Sequence, residues 1–283
     1  MNSKAVQKRI FNCADVNLVA SEWGSIESPP IMLLHGAGQT RHTWSTLART
    51  LADKGYYVLS LDLRGHGDSD WSPTQDYSSN AFIQDIKTVA AGLKQLPIIV
   101  GASLGGLMSL LTIGENCHQQ IAKALVLVDI TPNIDQAGKA RIIQFMQSND
   151  AGFANTDEAA DSISAYLPHR PRPKSSKGLI RNLRKHENGR YYWHWDPAFF
   201  TGPNATHNDL DSRNVAAAKK VNIPTLLLRG QHSELVSEAA VKSLLNFIPN
   251  AEYVDISNAH HMIVGDNNDA FSAAVTQFID TLH

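Results

Sequence analysis

One hexapeptide in this chain has both the composition and the setting of a nucleophile: Gly101-Ala102-Ser103-Leu104-Gly105-Gly106. It follows the apolar run PIIV and precedes a stretch of helical spacing, which puts Ser103 at a strand–turn–helix junction. Small neighbours let the backbone turn sharply there and hold the serine Oγ above a sheet. The first N–H groups of the following helix favour an anion developing beside it. The chemistry such a group performs is attack on an electrophilic carbon. A glycine-rich turn that only packs a helix on a strand is the plainer alternative, and the strand–turn–helix setting argues against it. Metal chemistry has no comparable signal, because the twelve histidines form no H-E-x-x-H motif and no Cys/His array.

The elements that must position this serine can be read along the chain. PPIMLLHGAG, YYVLSLDLRGHG, PIIVGASLGG, ALVLVDITP, PTLLLRGQH and AEYVDISNAHH each read as a buried strand running into a turn. Runs rich in Val, Ile and Leu without polar alternation suit strands covered on both faces, as in a parallel sheet. TWSTLARTLADKG, NAFIQDIKTVAAGLKQ and LGGLMSLLTIGENC lie between them with helical spacing, so the expected class is a doubly wound α/β sheet. QKRIFNCADVNLVASEWG alternates and predicts an antiparallel hairpin at one sheet edge.

Residues 133–211 break this rhythm, with the basic, proline-rich PHRPRPKSSKG and the aromatic YYWHWDPAFF. Apolar spacing in ARIIQFM, DEAADSISAYL and KGLIRNLRK predicts a mainly helical cap there, inserted after the sixth strand into a core domain of residues 1–132 and 212–283. An insertion at that place covers the sheet edge where open α/β folds bind ligands. RPRPKSSK is read as a solvated loop in preference to an anion patch.

Composition narrows the class further. The 283 residues are 43% hydrophobic and 18% charged, which excludes a mainly disordered chain. A net charge of −2 gives no reason to expect nucleic acid as a partner. Cys13 and Cys117 are too few for a disulfide framework. MNSKAVQKRI has no apolar core of a signal peptide, and no run approaches the ~18 apolar residues of a membrane span, so a cytoplasmic protein without a membrane partner is expected. Monomer and homodimer are equally compatible with the sequence.

Four segments in order, LLHGAG, DLRGHGDSD, GASLGG and AHHMIVGDNNDAF, resemble the α/β-hydrolase superfamily over nearly the whole length. Small serine esterases and the cofactor-free haloperoxidase, or perhydrolase-like, group are the nearest match. The resemblance implies the α/β-hydrolase fold and a Ser-His-acid triad that needs no cofactor and no metal. Ser103 is then the nucleophile, and Ala37 and Leu104 supply the oxyanion N–H groups. Gly36 lets that loop approach substrate. A glycine normally precedes the base, so of the tandem pair His260 takes the glycine's place and His261 the base's. For the acid, the usual position falls on Ser233, with Glu234 one place late. Asp129, at the end of ALVLV, holds the place some esterases and dehalogenase-like relatives use. Asp129 and Glu234 both stand as candidates, Asp129 ahead. His35, the DLRGHG loop and His194 are expected to be structural. Trp44, Trp193 and Trp195 are candidates for an apolar substrate wall, with core packing the alternative.

The implied activity is hydrolysis of small to medium apolar carboxylic esters through an acyl-enzyme. Other chemistry on the same triad (C–C bond hydrolysis or perhydrolysis) and a slow-turnover ligand receptor are the alternatives.

Overall fold

The computed structural model describes residues 6–202 and 210–282. The absence of a leader, read from residues 1–10, therefore falls partly on residues outside those described, and so does the stretch just before the cap's expected end at 211. The antiparallel hairpin is formed by β1 (Gln7–Asn12) and β2 (Asn17–Trp23). Then β3 (Pro30–Leu34), α1 (Ser45–Asp53), β4 (Tyr57–Leu61), α2 (Ser79–Ala91), β5 (Ile98–Ala102), α3 (Leu104–Glu115) and β6 (Ala124–Val128) alternate as expected. The chain next leaves the sheet for α4 (Gln136–Met146), α5 (Thr156–Tyr166), β7 (Leu183–Lys185), β8 (Tyr191–Trp193) and the single turn α6 (Ala198–Thr201). It returns through α7 (Leu210–Ala218), β9 (Thr225–Gly230), α8 (Glu238–Phe247), β10 (Ala251–Ile256), the short α9 (Ile263–Asp266) and α10 (Asn268–Asp280).

The main sheet has the order β1-β2-β4-β3-β5-β6-β9-β10, antiparallel only at the β1–β2 and β2–β4 pairs. Alternate residues of each central strand serve opposite faces. Met32, Leu34, Ile99, Leu125 and Leu227 pack towards α2, α3 and α8. Ile31, Leu33, Val100, Val126 and Leu228 pack towards α1 and α10. Both faces are covered, which is why these strands show no polar alternation.

Two expectations need correction. The insertion is not helical throughout: KGLIRNLRK forms a short 3-10 segment, Lys177–Asn182, and then β7, which pairs antiparallel with β8. Leu183 opposite Trp193 buries both side chains in a separate cap core with Met146, Phe153 and Trp195, and that burial outweighs the local helical spacing. The last strand, β10, is an edge strand and largely exposed, because only β9 covers one side of it.

Among the described residues no helix is long and apolar enough to cross a membrane. Cys13 and Cys117 are both free thiols.

The junction of β5 and α3 is packed backbone on backbone. A Cβ on Gly105 would lie 2.5 Å from the Leu34 carbonyl oxygen and 2.8 Å from that of His35, neither of which can swing aside. Gly105→Ala should therefore destabilise the protein by about 2 kcal/mol or more, the scale of an overpacked core. Urea denaturation measures this, and an unchanged midpoint would mean that α3 is free to shift.

Candidate active site

Register determines which residues meet at the C-terminal edge of the sheet. Ala102 pairs with Val128 across β5 and β6, so the next residues, Ser103 and Asp129, emerge side by side. Both have left-handed backbones, with φ of 45° at Ser103 and 49° at Asp129, a costly conformation for residues with a Cβ. Ser103 is the N-cap of α3, yet its side chain makes no capping bond, which leaves Oγ free of the usual duty of a serine at that place.

Asp129 is fully buried and accepts three hydrogen bonds. Gly230 N–H donates to Oδ1 at 2.8 Å, while Ser233 Oγ at 2.5 Å and His261 Nδ1 at 2.8 Å reach Oδ2. An ionised carboxylate can only accept, so this contact with Nδ1 suits the tautomer that leaves Nε2 free to take a proton. The other nitrogen, Nε2, has no protein partner among the described residues, and His261 borders the same cavity as Ser103. Bonds between such groups tighten when substrate arrives.

Of the two candidate acids, the structure brings only Asp129 to His261. Ser233 Oγ also accepts from the N–H groups of Leu235 and Val236, and this tight turn sends Glu234 outward. Glu234 lies 3.8 Å from Arg141 and 3.5 Å from His260 Nδ1, with its side chain 44% exposed. Ser233, which stands where the family's usual acid would, therefore serves Asp129 as a donor. That role was not foreseen from sequence, although a hydroxyl in an acid's place was a readable signal.

The loop carrying His261 is held from two sides. His260 approaches so closely that a Cβ on Gly230 would sit 2.3 Å from its carbonyl oxygen. From the cap, Arg170 donates from Nε to Asp266 Oδ1 and from Nη2 to the Met262 carbonyl, both at 2.6 Å. Asp266 Oδ2 in turn accepts from His260 N–H at 2.9 Å. The His260 ring stacks on His169 at 3.7 Å between ring centres, with Glu234 beside its Nδ1. Nothing in the sequence linked Arg170 to the site, and Asp266, although within AHHMIVGDNNDAF, carried no expected role there.

Opposite Ser103, the backbone N–H groups of Ala37 and Leu104 have no partner among the described residues. Gly36 closes the approach, since a Cβ there would lie 3.2 Å from the Ser103 Cβ. This loop is pinned by His35, which accepts from Leu63 N–H at Nε2 (3.0 Å) while Nδ1 meets the Gly36 carbonyl at 2.8 Å. Burial pulls His35 down to about 4, so it stays neutral and structural. His194 joins the two loops as well, accepting from Gly67 N–H at 2.8 Å and reaching the Gly38 carbonyl at 3.2 Å. Burial holds its pKa well below the usual histidine value. The DLRGHG loop is anchored internally: Asp62 accepts from Arg41 N–H and Asp68 N–H, and Arg64 grips Asp85 of α2 at 2.7 and 2.8 Å.

Ser103 opens onto a cavity of about 360 Å³ under the cap. Its walls include Ala37, Phe145, Met146, Tyr166, Leu167, Trp193, Trp195 and His261 and, among the described residues, no Lys or Arg. A second cavity of about 100 Å³ shares Ala37 and Ser103 and adds Leu104, Leu107, Ile130 and Leu235. Trp193 and Trp195, stacked at 5.0 Å, do border the cavity. Trp44 does not: it is fully buried beneath the sheet against Phe271, because the 3-10 turn before α1 directs it into the core. Among the described residues no group of three metal-binding side chains occurs.

Comparison with known proteins adds the following. The family model for the alpha/beta hydrolase fold matches residues 29–268. The chain is 28% identical over 273 residues to the esterase Rv0045c of Mycobacterium tuberculosis, covering 93% of this chain and 86% of that protein. It is 26% identical over 271 residues to the mouse (Mus musculus) sn-1-specific diacylglycerol lipase ABHD11, covering 90% and 82%. Among solved structures, E-2-(acetamidomethylene)succinate hydrolase superposes with a TM-score of 0.83 at 24% identity, covering 98% of this chain and all (100%) of that one.

If Asp129 is the residue that orients His261, Asp129→Asn should lower kcat/KM for an ester by about 10³–10⁴. Glu234→Gln should leave it within about threefold, as for an exposed side chain away from the reacting atoms. Rates measured beside thermal melts check this, and a reversed order would assign the role to Glu234.

Proposed function

Because the chain is a hydrolase that belongs to the α/β-hydrolase-fold family, we propose that it cleaves carboxylic esters of small to medium apolar groups, with Ser103 as nucleophile, His261 as base and Asp129 as the acid. One observation carries this reading. A serine with left-handed backbone and the histidine held by a buried carboxylate border one apolar cavity, with two unpaired N–H groups beside the serine.

In this mechanism Ser103 Oγ attacks the ester carbonyl as its proton passes to His261 Nε2. The Ala37 and Leu104 N–H groups take up the charge that develops on the carbonyl oxygen, at no cost of reorganisation. Collapse breaks the C–O bond, and His261 returns the proton to the leaving alcohol. Water, deprotonated by His261, then attacks the acyl-enzyme and releases the carboxylic acid and free Ser103. The Asp129 carboxylate stabilises the imidazolium that forms. The two cavities meeting at Ser103 offer one compartment to each half of the ester: the larger has mainly apolar walls that favour uncharged groups, and the smaller adds Lys139 and Asp211 to its apolar ones.

Ser103→Ala should reduce hydrolysis of short p-nitrophenyl esters by more than about 10³, leaving only what binding and the oxyanion donors supply. His261→Ala should cost a similar factor, and His260→Ala much less. Ligand-induced stabilisation of the parent protein without turnover would instead mark a receptor. In a graded ester series, Trp193→Ala should change the ranking of chain lengths more than the rate on the smallest ester. An unchanged ranking would confine that ring to cap packing.

A further inference from the structure

Charge is distributed very unevenly over this chain. Residues 168–190 carry eight of its 25 Lys and Arg but only one of its 27 Asp and Glu. Some of these cations have structural work: Arg170 holds Asp266, and Arg172 pairs with Asp157 and Asp161. Lys174, Lys177 and Arg181 are exposed and have no acidic partner among the described residues. Their position relates them to the site. The segment that bears them starts directly after Leu167 and ends at Asn182, and both of those residues line the cavity. Arg181 also lies near enough to His42 to oppose its protonation, and the next residue, Thr43, is again a cavity wall. Arg181 thus stands beside the cavity, with Lys177 and Lys174 before it on the same exposed segment, and among the described residues the cavity's own walls carry no Lys or Arg.

An anion placed inside those walls would lose its hydration without a counter-charge, at a cost of several kcal/mol. Outside them it would keep water and could meet the cations of this segment. We propose that the substrate is an acyl ester or thioester whose leaving half carries phosphate: the apolar acyl group enters the cavity, and the phosphate-bearing head stays outside against Lys174, Lys177 and Arg181. This rests on the acyl-transfer reading above and deepens it. The reaction is unchanged: the acyl carbon–oxygen or carbon–sulfur bond breaks, His261 protonates the departing alcohol or thiol, and water completes the acid.

Matched pairs test the charge of the head separately from the acyl group: hexanoyl coenzyme A against hexanoyl-N-acetylcysteamine, and monomeric dihexanoylphosphatidic acid against dihexanoylglycerol. At low ionic strength at least one phosphate-bearing member should exceed its neutral counterpart in kcat/KM by about tenfold or more, mainly through KM. The pair that responds identifies the source of the phosphate, a soluble carrier or a lipid. Raising salt to about 0.5 M should erase the preference. The exposed-site variant K174E/K177E/R181E should also erase it, while turnover of p-nitrophenyl hexanoate and the melting temperature stay at parent values. Equal kcat/KM within both pairs, or a preference that survives the charge reversal, overturns the proposal. If no acyl compound is turned over, the catalytic reading fails by itself. Calorimetric binding of the unreactive thioether S-hexyl coenzyme A, and of hexyl phosphate, to parent and variant then decides the rim's role: binding of either that the variant loses supports it, and equal or absent binding refutes it.

Discussion

The fully buried carboxylate of Asp129 is the constraint on which the site depends. A charge there is tolerable only if its lone pairs are filled, and the donors come from three separate places: Gly230 at the end of β9, Ser233 in the turn beyond it, and His261 in the loop after β10. Satisfying one side chain therefore fixes the end of β6, the turn after β9 and the loop after β10, three segments distant in sequence, relative to one another. The left-handed backbone at Asp129 is part of the same arrangement, since it turns the side chain along the sheet edge towards β9. Gly230 is needed twice over, once for its N–H and once because the His260 carbonyl passes where a Cβ would be.

The opposite wall is built from neutral parts. His35 and His194 are buried, uncharged and hydrogen-bonded to backbone, and they hold the loop after β3 against the loop after β4. This suits a site proposed to stabilise a transient oxyanion with backbone dipoles, because fixed dipoles in a dry setting act more strongly than they would in water. Charge is kept at the margins. Arg170 and Asp266 form an ion pair behind the His261 loop and tie the cap to it. The cap consequently shapes the cavity through Trp193 and Trp195 and steadies the His261 loop at the same time.

Much of this was legible in the residues. Strand–turn alternation with double-faced apolar runs predicts the parallel sheet, and GASLGG in its setting predicts the sharp turn at Ser103, because these are local consequences of side-chain period and backbone sterics. The resemblance carried by LLHGAG likewise implies a loop whose backbone, through Gly36, approaches substrate. The β7–β8 hairpin was not legible, since Leu183 and Trp193 gain their burial only from a cap core assembled out of distant segments. Trp44 misled for a similar reason: a tryptophan near the site in sequence is buried on the far face of the sheet.

The choice between Asp129 and Glu234 marks the boundary. Sequence by itself determined that a carboxylate ends β6, that another lies one place late after β9, and that tandem histidines follow β10. It could not determine which carboxylate meets which ring, because that depends on the Ala102–Val128 register, on the turn made by Ser233 and on the grip of Arg170 and Asp266 on the His261 loop. All of these are contacts between segments dozens of residues apart or between side chain and backbone within a turn. Local propensity gives such contacts no signature, and only the folded chain, which must satisfy every buried polar group at once, selects among them.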